Sequence, residues 1–207
     1  MAGPEEKKGL SMLRFIGIYN YTVILTYLSL VSAVVGMVMS AQGSFSYAVL
    51  CLVACGICDA FDGTVARSKK DRTEDEKAFG IQIDSLCDAV SFGVFPAVLC
   101  YHLGADGIFG IVCMCSYVLC AVIRLAFFNV LEANRQVTEG GCNKTYRGLP
   151  VTTISITFPL FYLLRNMLPE AVFTLLLHVI LLLTAYLFVL DFSVKKISFD
   201  KILARKS

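Results

Sequence analysis

Long apolar stretches separated by short polar segments dominate the chain. They fall at about residues 19–40, 46–67, 80–101, 107–130, 151–168 and 171–191, the fifth being the shortest. Crossing the hydrocarbon of a bilayer takes about 20 residues of helix. Open sheets cannot satisfy their backbone groups in lipid. The pattern therefore predicts an all-α integral membrane protein of six transmembrane helices. The first stretch is too long for a cleavable signal, lacks a clear small-residue cleavage site and is followed by further spans. One polytopic membrane domain over 1–207 is expected, with an N-terminal segment at 1–14 and a tail at 192–207.

Composition agrees with the pattern. The chain is 57% hydrophobic and only 16% charged, well below the quarter charged residues of an average soluble domain. Its net charge of +2 says little, but the distribution of charge says more. Lys7, Lys8 and Arg14 precede the first span, and Arg67, Lys69, Lys70, Arg72 and Lys77 lie between the second and third. Arg135, Lys144 and Arg147 lie between the fourth and fifth, and Lys195, Lys196, Lys201, Arg205 and Lys206 follow the last. The short loops at 41–45 and 102–106 carry no Lys or Arg. Cytoplasmic loops are the ones enriched in Lys and Arg, so both termini and the two long loops are expected in the cytoplasm. The nine cysteines include a CxxC at Cys55 and Cys58, but no second pair or nearby histidine completes a zinc site. They read as small apolar filler. The segment "SKKDRTEDEKAF", residues 68–79, reads as a solvated loop, with the third helix starting near Gly80.

Four carboxylates stand out against this background. Asp59 and Asp62 are three residues apart and Asp84 and Asp88 four apart, so each pair shares one face of its helix. In an antiparallel helix pair all four converge just inside the cytoplasmic boundary. An isolated charge costs about 2.5–3.5 kcal/mol at a bilayer centre, and four like charges also repel. A cation among them is therefore expected, and hard oxygen ligands select Mg²⁺, Mn²⁺ or Ca²⁺ over zinc. One or two ions fit four carboxylates, a familiar device for phosphoryl displacement. Gly63 and Gly80 leave room for a ligand near the helix backbone. Arg67, one turn beyond Gly63, is a fork suited to phosphate oxygens.

"DAFDGTVAR" followed by "GIQIDSLCD" resembles the signature of the CDP-alcohol phosphotransferases, DxxDGxxAR…GxxxDxxxD. The match falls at Asp59, Asp62, Gly63, Ala66, Arg67, Gly80, Asp84 and Asp88. Twelve residues separate Arg67 from Gly80, a longer spacing than the family pattern, with the excess assigned to the charged loop. The resemblance implies transfer of a phosphoalcohol group from a CDP-linked donor to an acceptor hydroxyl, with release of CMP. It implies Mg²⁺ or Mn²⁺ held by Asp59, Asp62 and Asp84, with Asp88 as general base and a further contributor to the metal site. It also implies a homodimer. Gly63, Ala66, Arg67 and Gly80 become candidate contacts to the CDP-diacylglycerol donor. Asn20 and Thr22, which resemble a family segment near the cytidine, join them.

For the acceptor, "DAVSFGVFPA", "RLAFFN" and "GLP" look like the phosphatidylserine synthase branch. Serine carries a carboxylate, for which Arg124 is the first candidate and Arg147 the second. Ser91 lies on the face of Asp84, and Asn129 ends the "RLAFFN" segment. Snorkelling at the interface is the competing role for Arg124, and simple helix-end roles compete for Asn129 and Pro150. Phe127 and Thr152 depart from the branch pattern, which more often has a basic residue and a second proline there. L-serine is the expected acceptor and membrane lipid the surroundings, with no nucleic-acid partner. Glycerol 3-phosphate and inositol phosphate are the alternatives within the class. A divalent-cation transporter is the rival outside it, disfavoured because no carboxylate follows Asp88 in the third span.

Overall fold

The computed structural model describes residues 16–69, 71–138 and 145–195, and of these the side chains at 16–69, 71–132 and 148–192. The chain enters through Asn20, whose Oδ1 accepts the Thr22 N–H at 3.2 Å and starts a 3₁₀ turn, Tyr21–Val23. Helix α1 (Ile24–Ala41) follows, and a turn through Gly43 at φ +76° reverses the chain into α2 (Phe45–Ser68). Helix α3 (Glu74–Asp88) runs through a π-helical stretch, Ala89–Val94, into α4 (Phe95–His102). Helix α5 (Gly107–Thr138) is the longest of the described helices. Strand β1 (Thr145–Arg147) precedes a 3₁₀ turn, Val151–Thr153, helix α6 (Ile154–Tyr162) and a second 3₁₀ turn, Leu163–Asn166. Helix α7 (Glu170–Val189) leads to β2 (Ser193–Lys195), which pairs antiparallel with β1, Tyr146 opposite Val194. That pairing brings the entry to α6 and the exit from α7 to one end of the bundle.

Helices can pack closely in lipid only where small residues let them. At Gly36 of α1 a Cβ would overlap the Phe95 ring, and at Gly56 of α2 it would overlap the Ser155 side chain of α6. Ala33 and Ala48 are fully buried at the α1–α2 contact region. The core then fills with Leu52, Phe92, Phe95, Tyr117, Phe158, Leu177 and Phe188. Outward faces stay apolar, as with Leu28 and Val31 on α1, Leu119 on α5, and Leu175 and Leu183 on α7. An apolar exterior over a packed core is what a helix bundle in lipid requires.

Among the described residues, five helical segments are long and apolar enough to cross a membrane: Tyr21–Ala41, Phe45–Ser68, Glu74–His102, Gly107–Glu132 and Glu170–Val189. The expected fifth span, 151–168, is helical over 151–166 but falls short of that length. Pro159 sits inside α6, where it removes a helical hydrogen bond, and the flanking turns tighten to 3₁₀. Five full-length spans thus stand where six were expected. Residues 1–15 and 196–207, and with them the chain ends expected in the cytoplasm, lie outside the described residues. The third helix also begins six residues earlier than expected. Thr73 caps the Glu76 N–H while the Glu76 side chain returns to the Thr73 N–H, a capping box that satisfies two orphan donors at once. Residues 74–79, expected in the loop, are the first turns of α3.

Candidate active site

The paired aspartates meet where α2 and α3 run side by side. One carboxylate oxygen from each of Asp59, Asp84 and Asp88 lies within 4.8 Å of the other two. Asp62 stands outside that trio and lines an adjoining cleft together with Asp84. Asp88 is only 9% exposed, and Asp84 Oδ1 is buried with no hydrogen-bond partner. Among the described residues no Lys or Arg forms an ion pair with any of the four. Converging carboxylates, half-buried at Asp59 and Asp84 and buried at Asp88, favour a cation from elsewhere when no cationic side chain stands among them. The donor set is all carboxylate oxygen, and the orphaned Asp84 Oδ1 is free to ligate, so these residues fit a hard divalent ion.

The π-helical stretch starts directly after Asp88. Such stretches widen a helix by one residue per turn and mark many functional sites. Here its polar groups are tied to two neighbours. Ser91, fully buried, accepts a hydrogen bond from Ser29 Oγ of α1 at 3.2 Å, and Tyr117 Oη of α5 donates to the Phe92 carbonyl at 2.6 Å. Asp88 is thereby seated on a backbone fixed from both sides. Ser85, next to Asp84, donates to Asn129 Oδ1 of α5 at 2.8 Å, so Asn129 braces α3 beside the aspartates.

The cleft has a volume of about 160 Å³ and opens between the start of α1, the end of α2 and the start of α3. Thr22 and Thr26 face Gly63 and Ala66 across it, with Gly80 and Asp84 on the α3 side. Asn20 is not in the wall. Its Oδ1 holds both the backbone and the hydroxyl of Thr22, and its Nδ2 donates to Glu76 Oε1 at 3.0 Å. Lys69 Nζ reaches the same oxygen at 2.6 Å. Glu76 therefore joins three chain segments at the mouth of the cleft, a role sequence reading missed although the T-x-x-E capping pattern was there to see. Glu76→Ala releases all three, so its unfolding midpoint in detergent falls by a few degrees. Glu76→Gln, which keeps an acceptor for the cap, loses less.

Arg67 is exposed and folds back over Gly63. Its Nη2 donates to Thr64 Oγ1 at 3.3 Å, and a Cβ on Gly63 would lie 3.3 Å from Nη1. Arg124 of α5 is 6% exposed and sits beneath the turn at 148–150, unlike a surface arginine that snorkels. Its Nε donates to the Leu149 carbonyl at 3.2 Å, while Nη1 is buried and unpartnered. Gly148, at φ +77°, lies against it, and a Cβ there would stand 3.4 Å from Nε. Arg147 belongs to β1, and its side chain lies outside the described residues.

A family model described as CDP-alcohol phosphatidyltransferase matches residues 19–190, which covers both aspartate pairs and most of the chain. The chain belongs to the CDP-alcohol phosphatidyltransferase family. It is similar to the archaetidylserine synthase of Methanothermobacter thermautotrophicus, 36% identical over 141 residues, 68% of this chain and 56% of that protein. It is also similar to the CDP-diacylglycerol–serine O-phosphatidyltransferases of Saccharomyces cerevisiae and Helicobacter pylori. The yeast match is 30% identical over 169 residues, 78% of this chain and 59% of the yeast protein. The Helicobacter match (strain 26695) is 29% identical over 151 residues, 72% of this chain and 60% of that protein. The chain thus spans 56% to 60% of the lengths of these relatives. As a family member, the protein is a multi-pass membrane protein with its signature carboxylates gathered between α2 and α3.

Proposed function

We propose that the protein transfers a phosphatidyl group from CDP-diacylglycerol to the hydroxyl of L-serine, giving phosphatidylserine and CMP. The observation that carries this is the convergence of Asp59, Asp84 and Asp88 within 4.8 Å between two membrane-crossing helices. Serine as acceptor is supported by the names of the relatives. It is supported too by Arg124, a buried guanidinium with a free Nη1 suited to a carboxylate. The Lys and Arg residues clustered between α2 and α3 and after α5 favour a site facing the cytoplasm. Assembly as a homodimer belongs to the same reading, on the strength of the family resemblance.

The chemistry begins with a poor nucleophile. A serine hydroxyl is almost entirely protonated at neutral pH, and a carboxylate placed at its oxygen takes the proton as attack proceeds. Asp88 has that place in the reading, buried and seated on the braced π-helical stretch. The serine oxygen bonds to the phosphorus that bears the diacylglycerol. The bond from that phosphorus to the CMP oxygen breaks, and CMP leaves with the electron pair. Asp59, Asp62 and Asp84 would hold Mg²⁺ or Mn²⁺, which would supply charge neutralisation at the diphosphate. Thr22, Thr26 and Gly63 shape the cleft for the nucleotide head, and the acyl chains remain in lipid.

Purified protein is given CDP-diacylglycerol with serine, glycerol 3-phosphate or inositol phosphate, one acceptor at a time. Serine alone is expected to yield a new lipid. Arg124→Gln is expected to raise the KM for serine about 10- to 100-fold, the worth of a hydrogen bond to a charged group, with little change in the KM for donor. A product formed only with a phosphorylated acceptor contradicts serine while keeping the chemistry.

A further inference from the structure

The cleft beside Asp84 has two cations in its wall, Arg72 and Lys77, and they differ in a telling way. Lys77 is neutralised by Glu74 at 2.7 Å. Arg72 has no carboxylate partner among the described residues. Its Nη2 donates to the Glu76 carbonyl at 3.0 Å, and its Nε is buried with no partner at all. The guanidinium is laid across Gly80, where a Cβ would stand 2.5 Å from Nη2. Gly80 thus gives the guanidinium its floor, and a side chain there would make the Arg72 tip shift.

An arginine fixed at one nitrogen, uncompensated in charge and set in the wall of a cleft is a preformed anion receptor. The acidic side of the same cleft, Asp62 and Asp84, repels a bare anion. A diphosphate suits both sides, because one part of it faces the guanidinium while the carboxylates take a divalent ion. We propose that Arg72 is a diphosphate-binding residue for the nucleotide-linked donor. The inference rests on the phosphatidyl-transfer reading above. Arg72 lies outside the family signature, in the stretch between Arg67 and Gly80 that is longer here than the family pattern. Arg67, the signature arginine, is exposed over Gly63 and absent from the cleft wall.

The test is calorimetric titration of the full-length protein in detergent with Mg²⁺, using CDP and cytidine as separate probes. Arg72→Gln is expected to weaken CDP about 10- to 100-fold and to leave cytidine binding unchanged, the latter also reporting that the cleft has folded. Arg72→Lys, which keeps the charge but not the planar fork, is expected to weaken CDP less than Arg72→Gln and likewise to leave cytidine binding unchanged. Equal weakening of CDP and cytidine, or CDP binding untouched by either substitution, overturns the assignment of Arg72 alone. Failure of the unsubstituted protein to bind CDP overturns the phosphatidyl-transfer reading and this inference with it.

Discussion

Asp88→Asn is expected to lower the rate of CMP release by about 10²- to 10⁴-fold, the usual contribution of a positioned general base. The substitution is nearly isosteric, so the packing around a residue only 9% exposed is kept. The Ser29–Ser91 and Tyr117–Phe92 bonds that seat the following stretch are untouched. What is lost is the ability to take a proton. The fall should therefore appear in kcat with little change in the KM for CDP-diacylglycerol, measured by steady-state CMP release. A variant that keeps its kcat places the base elsewhere. A variant whose loss is confined to donor KM makes Asp88 a binding residue.

Chelation of divalent metal is expected to reduce transfer to the enzyme-free background, and added Mg²⁺ or Mn²⁺ to restore it, while Zn²⁺ does not. An all-carboxylate donor set prefers hard cations. A companion effect separates metal binding from catalysis. Without metal, Asp59, Asp84 and Asp88 crowd together with no cationic side chain beside them, so Asp84→Asn relieves repulsion and raises the unfolding midpoint. With saturating Mn²⁺ the order reverses, because the ion binds the unsubstituted protein more tightly and stabilises it by mass action. Thermal unfolding of both proteins, with and without Mn²⁺, reads this crossover. Parallel curves in both conditions contradict a metal site at Asp84.

The aspartate site was legible because its geometry is local: spacings of three and four residues put each pair on one helix face, and only the pairing of α2 with α3 had to be supplied. The apolar runs located five spans for a similarly local reason. Pro159 shortened the fifth segment, an effect that a count of apolar residues does not weigh. The start of α3 was misread because its first turns are as charged as a loop. Recognised as a capping box, Thr73 and Glu76 would have put Lys77 on the face of Gly80, Asp84 and Asp88. The role of Glu76 rests on a tertiary partner, Asn20, which lies 56 residues away, and no periodicity announces an arginine just before a helix cap. The π-helical stretch and the pairing of two three-residue strands across the α6–α7 hairpin likewise have no pattern along the chain.

The most direct test of the central claim is CMP and lipid product measured together. Purified protein is incubated with CDP-diacylglycerol, L-serine and Mn²⁺, with an Asp88→Asn control. Metal-dependent formation of CMP and phosphatidylserine in equal amounts, lost in the control, is the predicted result. No CMP with any acceptor, combined with Mn²⁺ uptake into sealed liposomes bearing the protein, would contradict it and make the aspartates a cation pathway.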